Sequence, residues 1–338
     1  MEMDPNEILQ GHPGKTTPNS ILATNRRPLA VEGGQVPPYK SNSIMLSINN
    51  LTKTYSNGVQ ALNGVSLEIP KGMFGLLGPN GSGKSSLMRT LATLQEPDYG
   101  TAALGDIDII NNKESVRRVL GYLPQEFGVY PRVSPALMLD HLAALKGITD
   151  RGERKETVDA LLHQTNLYDV RKKAIDTFAG GMKQRFGIAQ ALIGSPELII
   201  VDEPTAGLDP SERNRFHNLL AEIGENVVVI LSTHIVDDVS DLCANMAIMG
   251  KGEILLTGKP ADVLGDLKDR LWRTRIHRSE LNDYKDNHPV ILSHLSGGQT
   301  VIHVLSDNSP GDGFEAISAN LEDIYFSTLL ANGVDINV

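Results

Sequence analysis

One cysteine in 338 residues excludes an internal disulfide. That residue, Cys243, stands in segment 236–244, which reads as a helix, and a packed core thiol is expected there rather than a reactive one. Nine histidines are present without metal-ligand spacing, so no structural metal is expected. No apolar run approaches the ~20 residues that cross a bilayer, and no signal-peptide pattern opens the chain, so any membrane role should be peripheral. Positive charge is also scarce. Thirty-one Lys and Arg against 41 Asp and Glu give a formal net charge of −10, and no direct nucleic-acid contact is expected. Lys268, Arg270, Arg273, Arg275 and Arg278 around Trp272 are the local exception, read as a solvated face opening the next domain. What the chain does have is 40% hydrophobic residues, enough for a full core in a main domain with room for a smaller one.

Two stretches about a hundred residues apart carry most of the chemistry. The first is GPNGSGKSS, comprising Gly78, Pro79, Asn80, Gly81, Ser82, Gly83, Lys84, Ser85 and Ser86. It follows an apolar run, Met73, Phe74, Gly75, Leu76 and Leu77, that reads as a buried strand. The spacing is that of a Walker A phosphate loop. Gly78, Gly81 and Gly83 let backbone N–H groups turn inward onto phosphate oxygens. Lys84 adds a charge near the β- and γ-phosphates, and Ser85 offers a hydroxyl to Mg2+. The following residues form a helix whose positive end faces the anion. A second, partial match, GHPGKTT, has Gly14, Lys15 and Thr16, but Leu9 replaces the required first glycine and no strand precedes it. It is read as irrelevant.

The second stretch is Leu198, Ile199, Ile200 and Val201 followed by Asp202 and Glu203. Four aliphatics in a row read as a buried parallel strand, and ligands collect at the carboxyl ends of such strands. Asp202 is expected to hold the Mg2+ hydration shell, and Glu203 to orient and deprotonate an attacking water.

With the continuation PTAGLDP, residues 204–210, the chain resembles the nucleotide-binding subunits of the ATP-binding cassette (ABC) family over about residues 44–258. The resemblance implies further roles. Gln125 matches the glutamine whose oxygen reaches the metal; Gly207, Leu208 and Asp209 match the D-loop; His234 in LSTH matches the switch histidine; Tyr55 stands where an aromatic stacks on adenine. It also implies a signature segment that opens a helix and completes the site of a second subunit. A literal LSGGQ occupies residues 295–299, but it lies after His234 and runs into the strand-like TVIHVL. A signature must offer the amides of a helix start. The expected signature is therefore Phe178, Ala179, Gly180, Gly181 and Met182, which precedes a helical segment, 182–193, closed by Gly194 and Pro196. Ala179 replaces the family's serine, so turnover is expected to be slowed, and Met182 replaces a glutamine of lesser consequence.

The fold class expected is α/β: a P-loop NTPase core of ABC ATPase type, with an antiparallel β subdomain, a helical signature subdomain and a small α+β C-terminal extension. Residues 1–43 read as a flexible tail, 44–264 as the ATP-binding domain with its helical subdomain at about 126–184, and 265–338 as the extension. The ending NLEDIYFSTLL resembles the C-terminal segment of ATP-binding subunits paired with ABC-2-type membrane proteins. The resemblance implies an ATP-hydrolysing motor with ATP and Mg2+ as cofactors. Its partners would be a second copy or a related ATPase subunit, head to tail, and a membrane permease, placing it at the cytoplasmic face. The alternatives are a non-transport ATPase acting on a ribosomal or DNA-repair partner, and a force-transmitting regulatory membrane ATPase.

Overall fold

Burial on both faces organises the central sheet. The computed structural model describes residues 45–334 apart from 126, 127, 129 and 130, all within one unit, Ser41–Val338. The tail and the GHPGKTT segment lie outside the described residues. In chain order the elements are β1 (Leu46–Thr54), β2 (Gln60–Ile69), β3 (Gly72–Leu77), α1 (Lys84–Leu91), β4 (Tyr99–Leu104), β5 (Ile107–Asp108), α2 (Lys113–Val119) and β6 (Leu120–Leu123). Three helices come next, α3 (Pro135–Leu145), α4 (Arg151–Gln164) and α5 (Gly180–Ala191). Then come β7 (Leu198–Asp202), α6 (Pro210–Gly224), β8 (Val228–Thr233), α7 (Val236–Leu242), β9 (Asn245–Gly250), β10 (Glu253–Gly258) and α8 (Pro260–Val263). The chain continues through β11 (Leu271–Ile276), α9 (Leu281–Asn287), β12 (Val290–Ser296), β13 (Gln299–Leu305), β14 (Glu315–Ala316) and α10 (Leu321–Ala331).

Six strands form the central sheet in the order β10-β9-β3-β8-β7-β6, parallel except for β10. Period two sends their side chains to opposite faces. Phe74, Leu76, Leu198, Ile200, Val228 and Ile230 meet α1 and the antiparallel sheet β2-β1-β4-β5. Met73, Leu77, Ile199, Val201, Val229 and Leu231 meet α6, α7 and α10. Helix α7 sits directly on β3 because Gly75 has no Cβ: one would lie 2.6 Å from Val239.

A third core joins α3, α4 and α5 through Leu139, Leu162 and Phe186. The starts of α3 and α4 are marked by polar caps: Ser134 accepts from the Leu137 N–H and Asp150 from the Glu153 N–H. The C-terminal strands form a separate sheet, β12-β13-β11-β14. Helix α10 leaves this sheet through a capping box between Asn320 and Asp323, and the buried Asp323 is tied to His303 of β13 at 2.6 Å. Its apolar residues Leu321, Ile324, Tyr325 and Leu329 pack into the core beneath the central sheet.

Boundaries shift slightly from the sequence expectations. Helix α5 starts at Gly180, two residues before Met182, and α7 stops at Leu242, leaving Cys243 at its cap in extended backbone. Cys243 is still buried, and burial pushes its thiol up to about 12. In the basic segment, Arg270 pairs with Asp307 and Arg273 with Glu315, so two of the five cations are bound to acids of the same extension.

Candidate active site at the carboxyl edge of the central sheet

Parallel register brings the separate sequence segments to one edge. Leu77 pairs with Thr233, Ser232 with Asp202, and Val201 with Leu123, so the chain leaving β3, β8, β7 and β6 emerges on the same side. Because β8 lies between β3 and β7, His234 emerges between the phosphate loop and the Asp202–Glu203 pair.

Glycine is a steric requirement in the loop. A Cβ on Gly78 would meet the Met249 carbonyl oxygen and Ser82 Oγ, both at 2.5 Å, and one on Gly83 would meet the Ala61 carbonyl at 2.3 Å. Gly83 also adopts φ +108°, a left-handed conformation costly for other residues, at the cap of α1. Pro79, Asn80 and Gly81 arch over the outer side of the loop; Asn80 and Gly81 are exposed. Lys84 turns inward, donating to the Gly78 and Pro79 carbonyls at 2.6 and 3.2 Å, with Nζ 3.7 Å from Glu203 Oε1. Burial lowers the pKa of its ammonium, while the nearby Glu203 and Asp202 carboxylates oppose that shift. Tyr55 is anchored beside the loop helix by its hydroxyl, which lies 3.0 Å from both Ser86 Oγ and Gln95 Oε1. Ser85 is half-buried at the start of α1.

Glu203 is the most constrained residue of the group. It is buried at φ +50°, unusual outside glycine, and its N–H donates to the Ser232 carbonyl at 2.8 Å. Its Oε2 lies 2.5 Å from His234 Nδ1, while the His234 side chain remains about half exposed to solvent. Asp202 Oδ1, Ser82 Oγ and Ser232 Oγ are buried with no hydrogen-bond partner among the described residues. A buried carboxylate oxygen left without a partner, as on Asp202, calls for a ligand, and a hard oxygen suits a divalent cation. The residues present therefore fit Mg2+. Gln125 is exposed just past β6, and its neighbours 126 and 127 lie outside the described residues. No group of three or more His, Cys, Asp or Glu side chains placed to hold a metal is found among the described residues.

The two glycine-rich candidates differ in local structure. Ala179 is the N-cap of α5, Gly180 and Gly181 are its first residues, and Ala179 and Gly180 are exposed. Ala179 has no side chain to cap the helix, so the first amides remain available. Phe178 is buried, and Met182 packs on the core of α3, α4 and α5. In LSGGQ, by contrast, Ser296 pairs with Gln299 across the turn from β12 to β13, and Gly297 and Gly298 both have positive φ, 59° and 82°. This is a hairpin turn, with no helix start to present.

Three features escaped the sequence reading. Asp209, placed in the D-loop, is also the N-cap of α6, accepting from the Glu212 N–H at 2.9 Å and the Ser211 hydroxyl at 2.8 Å. These bonds hold its carboxyl below the usual range. Glu212 lies against Gly181, where a Cβ would come within 2.4 Å of its carboxylate, and it approaches Arg185 at 3.5 Å. Asp238, fully buried on α7, gathers four hydrogen-bond partners, two from α6, one from the end of β8 and one from the loop after β7. Its only sequence signal is an acid on the helix after His234, which any solvated helix would also show.

A phosphate loop after β3, an acid pair at the end of β7 and a histidine after β8 define a P-loop ATPase core. Residues 62–206 match the family described as ABC transporter. The daunorubicin/doxorubicin resistance ATP-binding protein DrrA of Streptomyces peucetius is 32% identical over 237 residues, 70% of this chain and 71% of its own. The methionine import ATP-binding protein MetN 1 of Bacillus thuringiensis subsp. konkukian is 34% identical over 265 residues, 75% of this chain and 77% of its own. The dimeric post-hydrolysis structure of the ATP-binding cassette MJ0796 with ADP and Pi aligns with TM-score 0.58 at 26% identity. It covers 63% of this chain and 98% of that one. The chain belongs to the ABC family as an ATP-binding subunit, and it is an ATPase.

Proposed function

We propose that this subunit is the motor of an ABC-2-type exporter, working as a head-to-tail dimer that drives a separate membrane permease from the cytoplasmic face. The observation that carries the hydrolytic part is Glu203, held between Lys84 and His234 where the strands end. Export is supported by the resistance function in the name of DrrA and by the NLEDIYFSTLL ending. The match to MetN 1, named for import, supports the opposite direction as a second reading. Among the described residues no helix is long and apolar enough to cross a membrane, so in either case a separate subunit would supply the path.

In this reading the amides of residues 78–86 cradle the phosphates, Lys84 neutralises charge on the γ-phosphate, and Tyr55 supports the adenine. Ser85, Gln125 and Asp202 would hold Mg2+, which when bound offsets charge on the phosphate oxygens. Glu203 accepts a proton from the attacking water, and His234 holds the Glu203 carboxylate and faces the γ-phosphate. Gly180 and Gly181, with Ala179 at the cap, approach the γ-phosphate bound by the other copy, and Asp209 lines the same junction.

Glu203→Gln should retain ATP binding and lower kcat by roughly 10²–10⁴-fold. An undiminished steady-state rate would remove Glu203 as the base. The same variant should remain closed on its partner, so it can be purified from detergent-solubilised cells with ATP and Mg2+. A co-purifying multi-span membrane protein supports the motor reading. Ribosomal or DNA-repair components without any membrane protein would favour a non-transport role.

A further inference from the structure

Behind the Glu203–His234 pair lies a carboxylate with no part in the mechanism above. Asp238 is fully buried, and its two oxygens face different elements. Oδ2 accepts from Thr205 Oγ1 at 2.5 Å and from Thr233 Oγ1 at 3.3 Å. Oδ1 accepts from Arg213 Nε and His217 Nε2, both at 2.8 Å, and since a carboxylate only accepts, His217 carries its proton on Nε2. One oxygen thus faces the catalytic loops and the other faces α6.

The loop-side partners flank the reacting groups. Thr205 is two residues beyond Glu203, and Thr233 immediately precedes His234. Thr233 Oγ1 also accepts the Ile235 N–H at 3.0 Å, which fixes the turn containing His234. On the other side, Arg213 and His217 belong to the helix capped by Asp209. The carboxylate itself cannot drift, because α7 is seated on β3 through the Gly75–Val239 contact. Burying a carboxylate carries a large desolvation cost, so a cluster of this kind adds little net stability compared with apolar packing. Four donors on two oxygens do specify a single geometry.

We propose that Asp238 is a positioning residue for hydrolysis: it sets the alignment of Glu203 with His234 and links both to α6. A second copy of the chain pressing on the Asp209 end of α6 would then adjust the base through Arg213, His217 and Asp238. The proposal rests on the assignment of Glu203 and His234 made above.

The test compares steady-state ATPase kinetics with the affinity for a fluorescent ATP analogue in Thr205→Val, Asp238→Asn and their combination, with Glu203→Gln run alongside. Thr205→Val should leave nucleotide affinity within about twofold and lower kcat by about tenfold. The combination should be no slower than Asp238→Asn alone, because both changes cut the same link. Should Asp238→Asn fail to fold, as judged by thermal unfolding, Thr205→Val alone decides. Unchanged kcat and affinity in Thr205→Val, beside an impaired Glu203→Gln, overturns the positioning role. Nucleotide affinity lost in step with turnover also overturns it, since that marks a general structural defect. Full activity in Glu203→Gln instead overturns the assignment of the base on which the proposal stands.

Discussion

Ala179 combines two effects that are usually separate, because the same hydroxyl that would face a partner's phosphate would also cap α5. A serine there could accept the N–H of the second or third helical residue, worth about 0.5–2 kcal/mol. Ala179→Ser should therefore raise both the unfolding midpoint and ATP turnover. A gain in stability with unchanged kcat would show that Gly180 and Gly181 already supply the donors that matter. Cys243 is the opposite kind of residue, with no functional demand on it. With its thiol pushed up to about 12, it should be inert to a thiol reagent at pH 8 in the native state and react as one equivalent after denaturation. Rapid native reaction would place it outside the core. Residues were legible in the sequence where chemistry is linear. The phosphate loop and the Asp202–Glu203 pair are short consecutive patterns whose glycines and acids have few other uses. Asp238 was illegible because its partners, residues 205, 213, 217 and 233, are joined only by the fold.

Elements were legible where burial is complete. The aliphatic runs of β3, β7 and β8 announce parallel strands. The two LSGGQ-like segments were separated by chain order and local context: one follows His234 and runs into the strand β13, while the other opens the helix α5. Contacts between helices were not legible, and the packing of α5 on α6 is the clearest case. A Cβ on Gly181 would meet only the Glu212 side chain, so Gly181→Ala should push the Glu212 carboxylate aside and break its approach to Arg185 at a net cost of no more than about 1 kcal/mol. Glu212→Ala in the same chain should restore most of that loss. Thermal unfolding of the two single variants and the double variant measures the coupling, and strict additivity would argue against the contact. If the start of α5 serves a partner's site, this contact also links it to the helix that Asp209 caps, so the two would move together.

At the scale of the molecule, the proposed division of the site between two copies predicts complementation. Lys84→Ala removes the ammonium proposed to neutralise the phosphate, and Gly180→Asp puts a negative charge at the start of α5. Each homodimer should be inactive, while an equal mixture should recover a measurable ATPase rate through the heterodimers that hold one intact pair of half-sites. No recovery in mixtures shown by size-exclusion chromatography to exchange subunits would count against a composite site.

The seating of α10 beneath the central sheet has a consequence for synthesis. The last strand of that sheet ends at Gly258, and α10 does not begin until Leu321. At 5–20 residues per second the ribosome needs roughly 3–12 s to make the intervening segment. During that interval the sheet and α7 are complete in sequence, yet the apolar surface that Leu321, Ile324, Tyr325 and Leu329 will cover is still open. The nascent chain then carries that apolar surface uncovered, and a transcript truncated before residue 321 should yield insoluble protein even though every residue proposed to contact nucleotide has been made.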